Sequence, residues 1–268
     1  MIKKIHQIWI QGVENIPNQY KPNIQKIKEL NPNWVYNIYS DKELRNECSK
    51  YSQQCLDVYD KYKYMHQKID LGRYVILYNN GGLSVDMDTE VLKSFDNIPQ
   101  LDTNTNKLVV SKINLNRIES FVFLRSLEIP INNAHIYSPE KQNIVLKKLI
   151  DTVLAKPISP KNSKTMDILF TTGPVAFSSV INKNKKDVII LDSIYFEPNT
   201  IFKEQMQNKD TIIIHKMDNT WVSGNAEKKF IEFYGTTRNF LNDNKIIIML
   251  VSIILLLGIV LYKVTTVF

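Results

Sequence analysis

Apolar residues recur along the chain in short bursts, and the spacing within each burst separates strands from helices. Residues 5–10 (IHQIWI) form a β-branched run that predicts a buried first strand. Residues 20–30 place Ile24, Ile27 and Leu30 at helical spacing, stopped by Asn31-Pro32. Residues 34–39 (WVYNIY) predict a second strand. Asp41 is placed to cap a helix through Cys48, and a further helix fits 53–63. Over 66–79, Ile69, Val75, Ile76 and Leu77 suit a helix packed on a sheet. Asn79-Asn80-Gly81-Gly82 then ends it, with glycines free to take positive φ. A short strand at 83–85 runs into Asp86. Later strands are expected at 108–111, 121–124, 188–191 and 211–215, with a helix at 140–154. Short strands and helices alternating in this way predict an α/β domain.

The last stretch breaks the alternation. Residues 246–262 read IIIMLVSIILLLGIVLY, without a charge. As a helix they cover about 25 Å, near the short end of what spans a bilayer. Lys263 can snorkel and let 264–268 extend the buried length. A buried core helix normally keeps a polar face, and this stretch has none. The expectation is a soluble domain over 1–245 and a single-pass C-terminal transmembrane helix over 246–268. At the other end, Lys3 and Lys4 precede only IHQIWI, short of the apolar core of about 7–15 residues in a secretory signal. An anchor that leaves the ribosome last puts the domain on the cytosolic side of its membrane. Lys228, Lys229, Arg238 and Lys245 before the span, against Lys263 after it, agree with that orientation. So does the lack of any N-x-[ST] sequon.

Composition narrows the classes without choosing one. With 44% hydrophobic and 23% charged residues, a disordered or fibrous chain is ruled out. Cys48 and Cys55 cannot form a disulfide framework and lack zinc-site company. The net charge of +7 hints at acidic partners. The lysines are dispersed, however, so a solvated surface is the reading and no nucleic acid is expected as a partner.

The densest chemistry lies in residues 68–95, KIDLGRYVILYNNGGLSVDMDTEVLKSF. Asp86 and Asp88 stand two apart, and in extended backbone such side chains share a face. Hard oxygen ligands suit Mg²⁺ or Mn²⁺, an ion that commonly bridges carboxylates to substrate phosphates. With 15 aspartates in the chain, about one D-x-D is expected by chance, so the motif alone is weak. Its position after a Gly-Gly turn strengthens it, because open α/β sheets bind ligands at the carboxyl ends of strands. Asp70 and Arg73 are spaced i, i+3 on one helix face, and spacing alone favours an intrahelical ion pair.

A helix with D-x-x-R-Y, then I-L-Y, Gly-Gly, a short strand and D-x-D closely resembles the donor-site signature of family 32 glycosyltransferases, the DXD sugar transferases. Ile5-His6-Gln7-Ile8-Trp9 resembles the family's opening strand, Thr172-Gly173-Pro174 its T-G-P step, and His215 with Trp221 its late H…W element. The resemblance implies a GT-A-type, Rossmann-like nucleotide-sugar domain with a mixed central sheet. It implies transfer of a hexose from a UDP- or GDP-linked donor to a glycan, glycolipid or protein acceptor, with retention of configuration and Mn²⁺ or Mg²⁺ as cofactor.

By the same resemblance Asp86 and Asp88 hold the metal and the donor, and Asp70 and Arg73 hydrogen-bond the transferred sugar. Trp9 lies at the nucleotide pocket or is a plain core aromatic. His215 approaches the diphosphate and metal or caps a strand end. Trp221 packs in a lid over the donor, and Gly173 with Pro174 makes a backbone turn lining the pocket. His135, in the polar stretch INNAHIYSP, is placed in a loop, either exposed or facing the acceptor. Two departures stand out: the family's usual anchor is N-terminal, and Thr220 replaces the Ser that often precedes the late Trp. The competing readings are a catalytically inactive glycosyltransferase-like membrane scaffold and an unrelated metal-dependent phosphohydrolase. The second leaves Asp70, Arg73, His215 and Trp221 unexplained.

Overall fold

The computed structural model describes residues 1–99, 101, 106–115, 119–121, 128–156, 163–198, 208–216, 218, 229 and 244. The chain forms two compact units, Met1–Thr200 with Glu204–Ser223, and Ile201–Lys203 with Gly224–Phe268. Every element below belongs to the first. The expected span at 246–268 lies outside the described residues. Among the described residues no helix is long and apolar enough to cross a membrane.

In chain order the elements are β1 (Lys4–Ile8), α1 (Lys21–Leu30), β2 (Val35–Tyr39), α2 (Asp41–Tyr51), α3 (Gln53–Lys61) and α4 (Met65–Asn80). There follow β3 (Gly82–Ser84), β4 (Thr89–Val91), β5 (Leu108–Lys112), β6 (Ile131–Ser138) and α5 (Ile144–Leu154). The last are α6 (Lys164–Thr171), α7 (Pro174–Lys183), β7 (Val188–Leu191), α8 (Ser193–Phe196) and β8 (Ile213–His215). The main sheet has the order β2-β1-β3-β6-β5-β7. β1 runs parallel to β2 and β3, and β5 parallel to β7; β6 is antiparallel to both its neighbours. This is the mixed α/β sheet expected. A second pairing, β4 antiparallel to β8, sets Thr89 opposite His215.

Period-two alternation divides the core into two layers. Leu108, Val110, Ile136 and Val188 face one side, where Leu71 and Val75 of α4, Leu146 and Leu149 of α5 and Phe177 of α7 cover them. Val109, Tyr137 and Leu191 face the other, with Ile5, Ile27, Trp34, Leu83, Phe95 and Ile213. Each fully buried aliphatic or Phe side chain contributes about 1.5–3 kcal/mol.

The Gly-Gly turn behaves as its sequence predicts. Gly81 (φ 63°) and Gly82 (φ 92°) both take positive φ, and a Cβ on Gly82 would meet the Lys4 carbonyl oxygen at 2.5 Å. The close approach lets α4 reverse directly into β3 beside β1. His6 secures the same turn. Its Nε2 lies 2.8 Å from the Gly81 carbonyl oxygen and its Nδ1 3.0 Å from the Tyr39 hydroxyl.

Several expectations need correction. The helix after β2 is capped by Ser40, through a capping box with Glu43, and Asp41 is its first residue. Phe121 lies in helical backbone rather than a strand, and 122–127 fall outside the described residues. The central strand β6 was not expected, because its first half, INNAH, is polar. Gly173 is the residue preceding α7 and Pro174 is its first, so the T-G-P step starts a helix.

Candidate active site

The helix α4 supplies Asp70 and Arg73 from its deeply buried middle. Asp70 is held as an acceptor: Asn133 Nδ2 donates to Oδ1 at 2.9 Å, and the Thr172 hydroxyl donates to Oδ2 at 2.9 Å. The Tyr74 hydroxyl extends this network, donating to the Thr172 carbonyl at 2.6 Å and accepting from Asn133 at 2.9 Å. Burial pushes the Asp70 carboxyl up to about 6, and the nearby Arg73 charge and the Thr172 hydroxyl offset only part of the rise.

Arg73 makes its hydrogen bonds to partners other than Asp70. Its Nη2 donates to Asp86 Oδ1 and its Nη1 to the Asn133 carbonyl, while Nε is buried without a hydrogen-bond partner among the described residues. The intrahelical ion pair suggested by spacing is therefore absent among the described ion pairs. The two residues serve a shared site through different partners.

Asp86 and Asp88 lie in the short connection between β3 and β4, Asp88 in its turn. Both converge on His215. His215, the last residue of β8, places Nε2 3.2 Å from Asp88 Oδ1 and 4.0 Å from Asp86 Oδ2. The turn is held in place by Gln7, whose amide donates to the Asp86 carbonyl at 3.1 Å, and Gln7 Oε1 accepts from the Tyr36 hydroxyl at 2.7 Å. The segment after β8 is bound to the same turn: Lys216 N–H donates to the Asp88 carbonyl at 2.9 Å and Asp218 N–H to Asp88 Oδ2 at 3.0 Å.

Asp86, Asp88 and His215 each offer a ligand atom, and these atoms lie within 4.8 Å of one another. Two carboxylates and an imidazole nitrogen fit a divalent cation. Burial alone would raise Asp88, but the His215 bond and charge outweigh it and hold the carboxyl well below the usual range. His215 moves the other way. Burial would lower it, yet Glu197 and Asp88 raise it well above an ordinary histidine.

Behind His215 lies a partner that the sequence did not reveal. Glu197 is fully buried, with Oε2 3.1 Å from His215 Nδ1 and Oε1 3.0 Å from His135 Nδ1. Burial opposes its ionisation, but the His215 charge and both histidine bonds hold its carboxyl down to about 2. His135 is thus a buried strand residue of β6. It is neither in a loop nor exposed, which corrects the expectation.

Trp9 follows β1 and is half-buried; its ring stands 5.5 Å from that of Tyr20, and its Nε1 donates to the Asn15 carbonyl at 3.1 Å. It packs with Ile16, Tyr20 and Met87, the residue between the two aspartates. Tyr20 in turn donates to Asp218 Oδ2 at 2.6 Å. Gly173 follows Thr172 and donates its N–H to the Ile168 carbonyl at 2.8 Å. Trp221 lies outside the described residues. The sequence reading missed Asn132, Asn133, Glu197, Tyr20 and Asp218 as members of the site, and named Thr172 only within the T-G-P step. The motifs flanked some of them, but nothing in residue type or spacing marked Glu197.

Residues 16–104 match the family described as the glycosyltransferase sugar-binding region containing the DXD motif. Over 221 residues the chain is 24% identical to an uncharacterized glycosyltransferase of Acanthamoeba polyphaga mimivirus, covering 81% of this chain and 82% of that protein. It is 30% identical over 95 residues to inositol phosphoceramide mannosyltransferase 1 of Schizosaccharomyces pombe, covering 34% of this chain and 29% of that one. The initiation-specific α-1,6-mannosyltransferase of Candida albicans is 31% identical over 99 residues, covering 35% of this chain and 26% of its own length. Among solved structures, mouse xyloside xylosyltransferase 1 is a distant likeness, with a TM-score of 0.49 at 8% identity over 82% of this chain and 99% of that one. The chain thus resembles the DXD-motif glycosyltransferases, with residues 16–104 matching the model of their sugar-binding region.

Proposed function

We propose that this chain is a metal-dependent glycosyltransferase with a GT-A-type nucleotide-sugar domain. It moves a hexose from a UDP- or GDP-linked donor to a glycan, lipid or protein acceptor, with retention of configuration. The observation that carries the reading is the meeting of Asp86, Asp88 and His215 at one point, next to Asp70 and Arg73. A bound Mn²⁺ or Mg²⁺ would offset the negative charge that builds on the leaving diphosphate.

The protein's own residues have separable tasks in this scheme. Asp86, Asp88 and His215 hold the cation. Arg73 fixes Asp86 through Nη2, and its hydrogen bond to the transferred sugar is assigned on the sequence resemblance. Asp70, already oriented by Asn133 and Thr172, accepts from a sugar hydroxyl, a positioning role. Trp9 offers a half-buried aromatic face for the nucleotide base, and Trp221 is assigned to the lid on sequence grounds. Asp86 and Asp88 are too close together to flank opposite faces of a sugar ring, which argues against a glycosidase-type carboxylate pair. Attachment to a membrane rests within this reading on the apolar sequence of residues 246–262, and a cytosol-facing domain on Lys228, Lys229, Arg238 and Lys245 before that run against Lys263 after it.

The test is release of nucleoside diphosphate from a panel of UDP- and GDP-sugars in the presence of Mn²⁺, comparing wild type with Asp88→Asn. Turnover of one donor by wild type, lost in the variant and on chelation, is expected. A wild type as silent as Asp88→Asn, with no donor raising its thermal midpoint, would favour the inactive-scaffold reading.

A further inference from the structure

Glu197 directly follows α8 and has 0% exposure, so its carboxyl group is shut off from water. A buried carboxylate is costly unless its oxygens are hydrogen-bonded. Here each oxygen faces a different imidazole: Oε1 is 3.0 Å from His135 Nδ1 and Oε2 is 3.1 Å from His215 Nδ1. A carboxylate only accepts, so both contacts require a proton on Nδ1.

For His135 that assignment is self-consistent. Its Nε2 lies 2.9 Å from the Thr89 hydroxyl, which donates to it, so one neutral tautomer satisfies both ring nitrogens. For His215 the same constraint leaves Nε2 as a lone pair in the neutral ring. That atom faces Asp88 at 3.2 Å and Asp86 at 4.0 Å. A lone pair opposite two carboxylates is unfavourable unless a positive charge stands between them, either a proton on Nε2 or a metal ion that would replace it. Asn132 Nδ2, 3.3 Å from His215 Nδ1, is the competing contact, because it would donate to the nitrogen that Glu197 needs protonated. It is the longer and the uncharged one of the two, and the charge-assisted bond dominates.

We propose that Glu197 is a positioning residue that holds His215 in its Nδ1–H tautomer and so presents Nε2 as the nitrogen ligand of a divalent cation shared with Asp86 and Asp88. The inference deepens the metal-dependent reading above and rests on it. Carboxylates that fix a ligand histidine from behind typically change metal affinity by 10–100-fold when lost.

The experiment is a titration of the full chain with Mn²⁺, reading free Mn²⁺ by electron paramagnetic resonance with no donor present. Wild type, Glu197→Gln, Glu197→Leu and His215→Ala are compared. Glu197→Leu, which removes the acceptor, is expected to weaken Mn²⁺ binding by about 10–100-fold. Glu197→Gln keeps one acceptor oxygen and is expected to fall between Leu and wild type. A folded Glu197→Leu with wild-type affinity overturns the proposal alone, even if its thermal midpoint drops, because a merely structural role predicts that result. A wild type that binds no Mn²⁺ removes the metal-dependent reading, and this proposal with it. If Glu197→Leu does not fold, the ¹⁵N–¹H correlation of the His215 ring in Mg²⁺-loaded wild type decides. A proton on Nδ1 supports the proposal, and a proton on Nε2 overturns it.

Discussion

Arg73 of α4 donates through Nη2 to Oδ1 of Asp86, the first aspartate of the D-x-D turn, and through Nη1 to the Asn133 carbonyl of β6. One guanidinium therefore connects the central helix, the D-x-D turn and the central antiparallel strand. Its side chain is 4% exposed and that of Asp86 30%. Removing Arg73 leaves Asp86 without its counter-charge and the Asn133 carbonyl without its donor. We expect Arg73→Ala to cost about 3 kcal/mol, read as a lower midpoint in urea denaturation. Arg73→Lys should recover part of that stability and little activity, because a single ammonium cannot serve both acceptors. Equal activity in Arg73→Lys and wild type would contradict the role assigned to the guanidinium.

Asp70 predicts an opposition between stability and activity. Burial raises its carboxyl from 3.8 to about 6 in the fold. A folded value above the unfolded one means that its contribution favours the fold below about pH 4. That contribution is lost as the pH rises through about 6. The charge carried at neutral pH is thus a cost that function retains. Asp70→Asn keeps an acceptor for Asn133 and can donate to Thr172. Its thermal midpoint at pH 7.5 should match or exceed that of wild type, while donor turnover falls by about 100-fold. A marked loss of stability at pH 7.5 would contradict the argument.

The two halves of the site differed in how plainly the sequence displayed them. α4, the Gly-Gly turn and the D-x-D segment were legible because each rests on local rules: helical spacing, positive φ and paired carboxylates. His215 joins the Asp86–Asp88 pair through β8, which pairs with β4 more than a hundred residues away in sequence. β6 was missed because Asn132, Asn133 and His135 turn polar groups inward to Asp70, His215 and Glu197. A polar core strand has no apolar alternation to detect. Glu197 was invisible for the related reason that its partners lie 62 and 18 residues away.

His6 gives a prediction about acid stability. Burial lowers its pKa from 6.5 to about 4, only partly offset by the bond to the Gly81 carbonyl. A folded value below the unfolded one gives stability that is present above pH 6.5 and is lost as the pH falls through about 4. His66 is lowered by burial in the same direction, so the wild type should lose stability over this window through both groups. In His6→Gln one of them is removed. The free energy of unfolding, measured in urea at half-unit steps from pH 4 to 7, should fall less steeply in that variant. Identical slopes would show that His6 does not titrate on unfolding.

Tyr20 links the aromatic side of the site to the chain that leaves β8. Its hydroxyl donates to Asp218 Oδ2 at 2.6 Å, and the Asp218 N–H donates to Asp88 Oδ2 at 3.0 Å. Tyr20→Phe keeps the ring beside Trp9 but frees the Asp218 carboxylate. Asp218 is exposed, so the bond is screened and worth about 1 kcal/mol, below the range for a buried charged acceptor. If the segment from 216 to 218 must be in place for the donor to bind, that loss should raise the donor KM about 5-fold. kcat should change by less than about 2-fold, because neither the ligand atoms nor Asp70 and Arg73 are touched. Steady-state kinetics with the donor varied at saturating Mn²⁺ separates the two constants. A fall in kcat at unchanged KM would place Tyr20 in the chemical step, contrary to the role given it here as a latch.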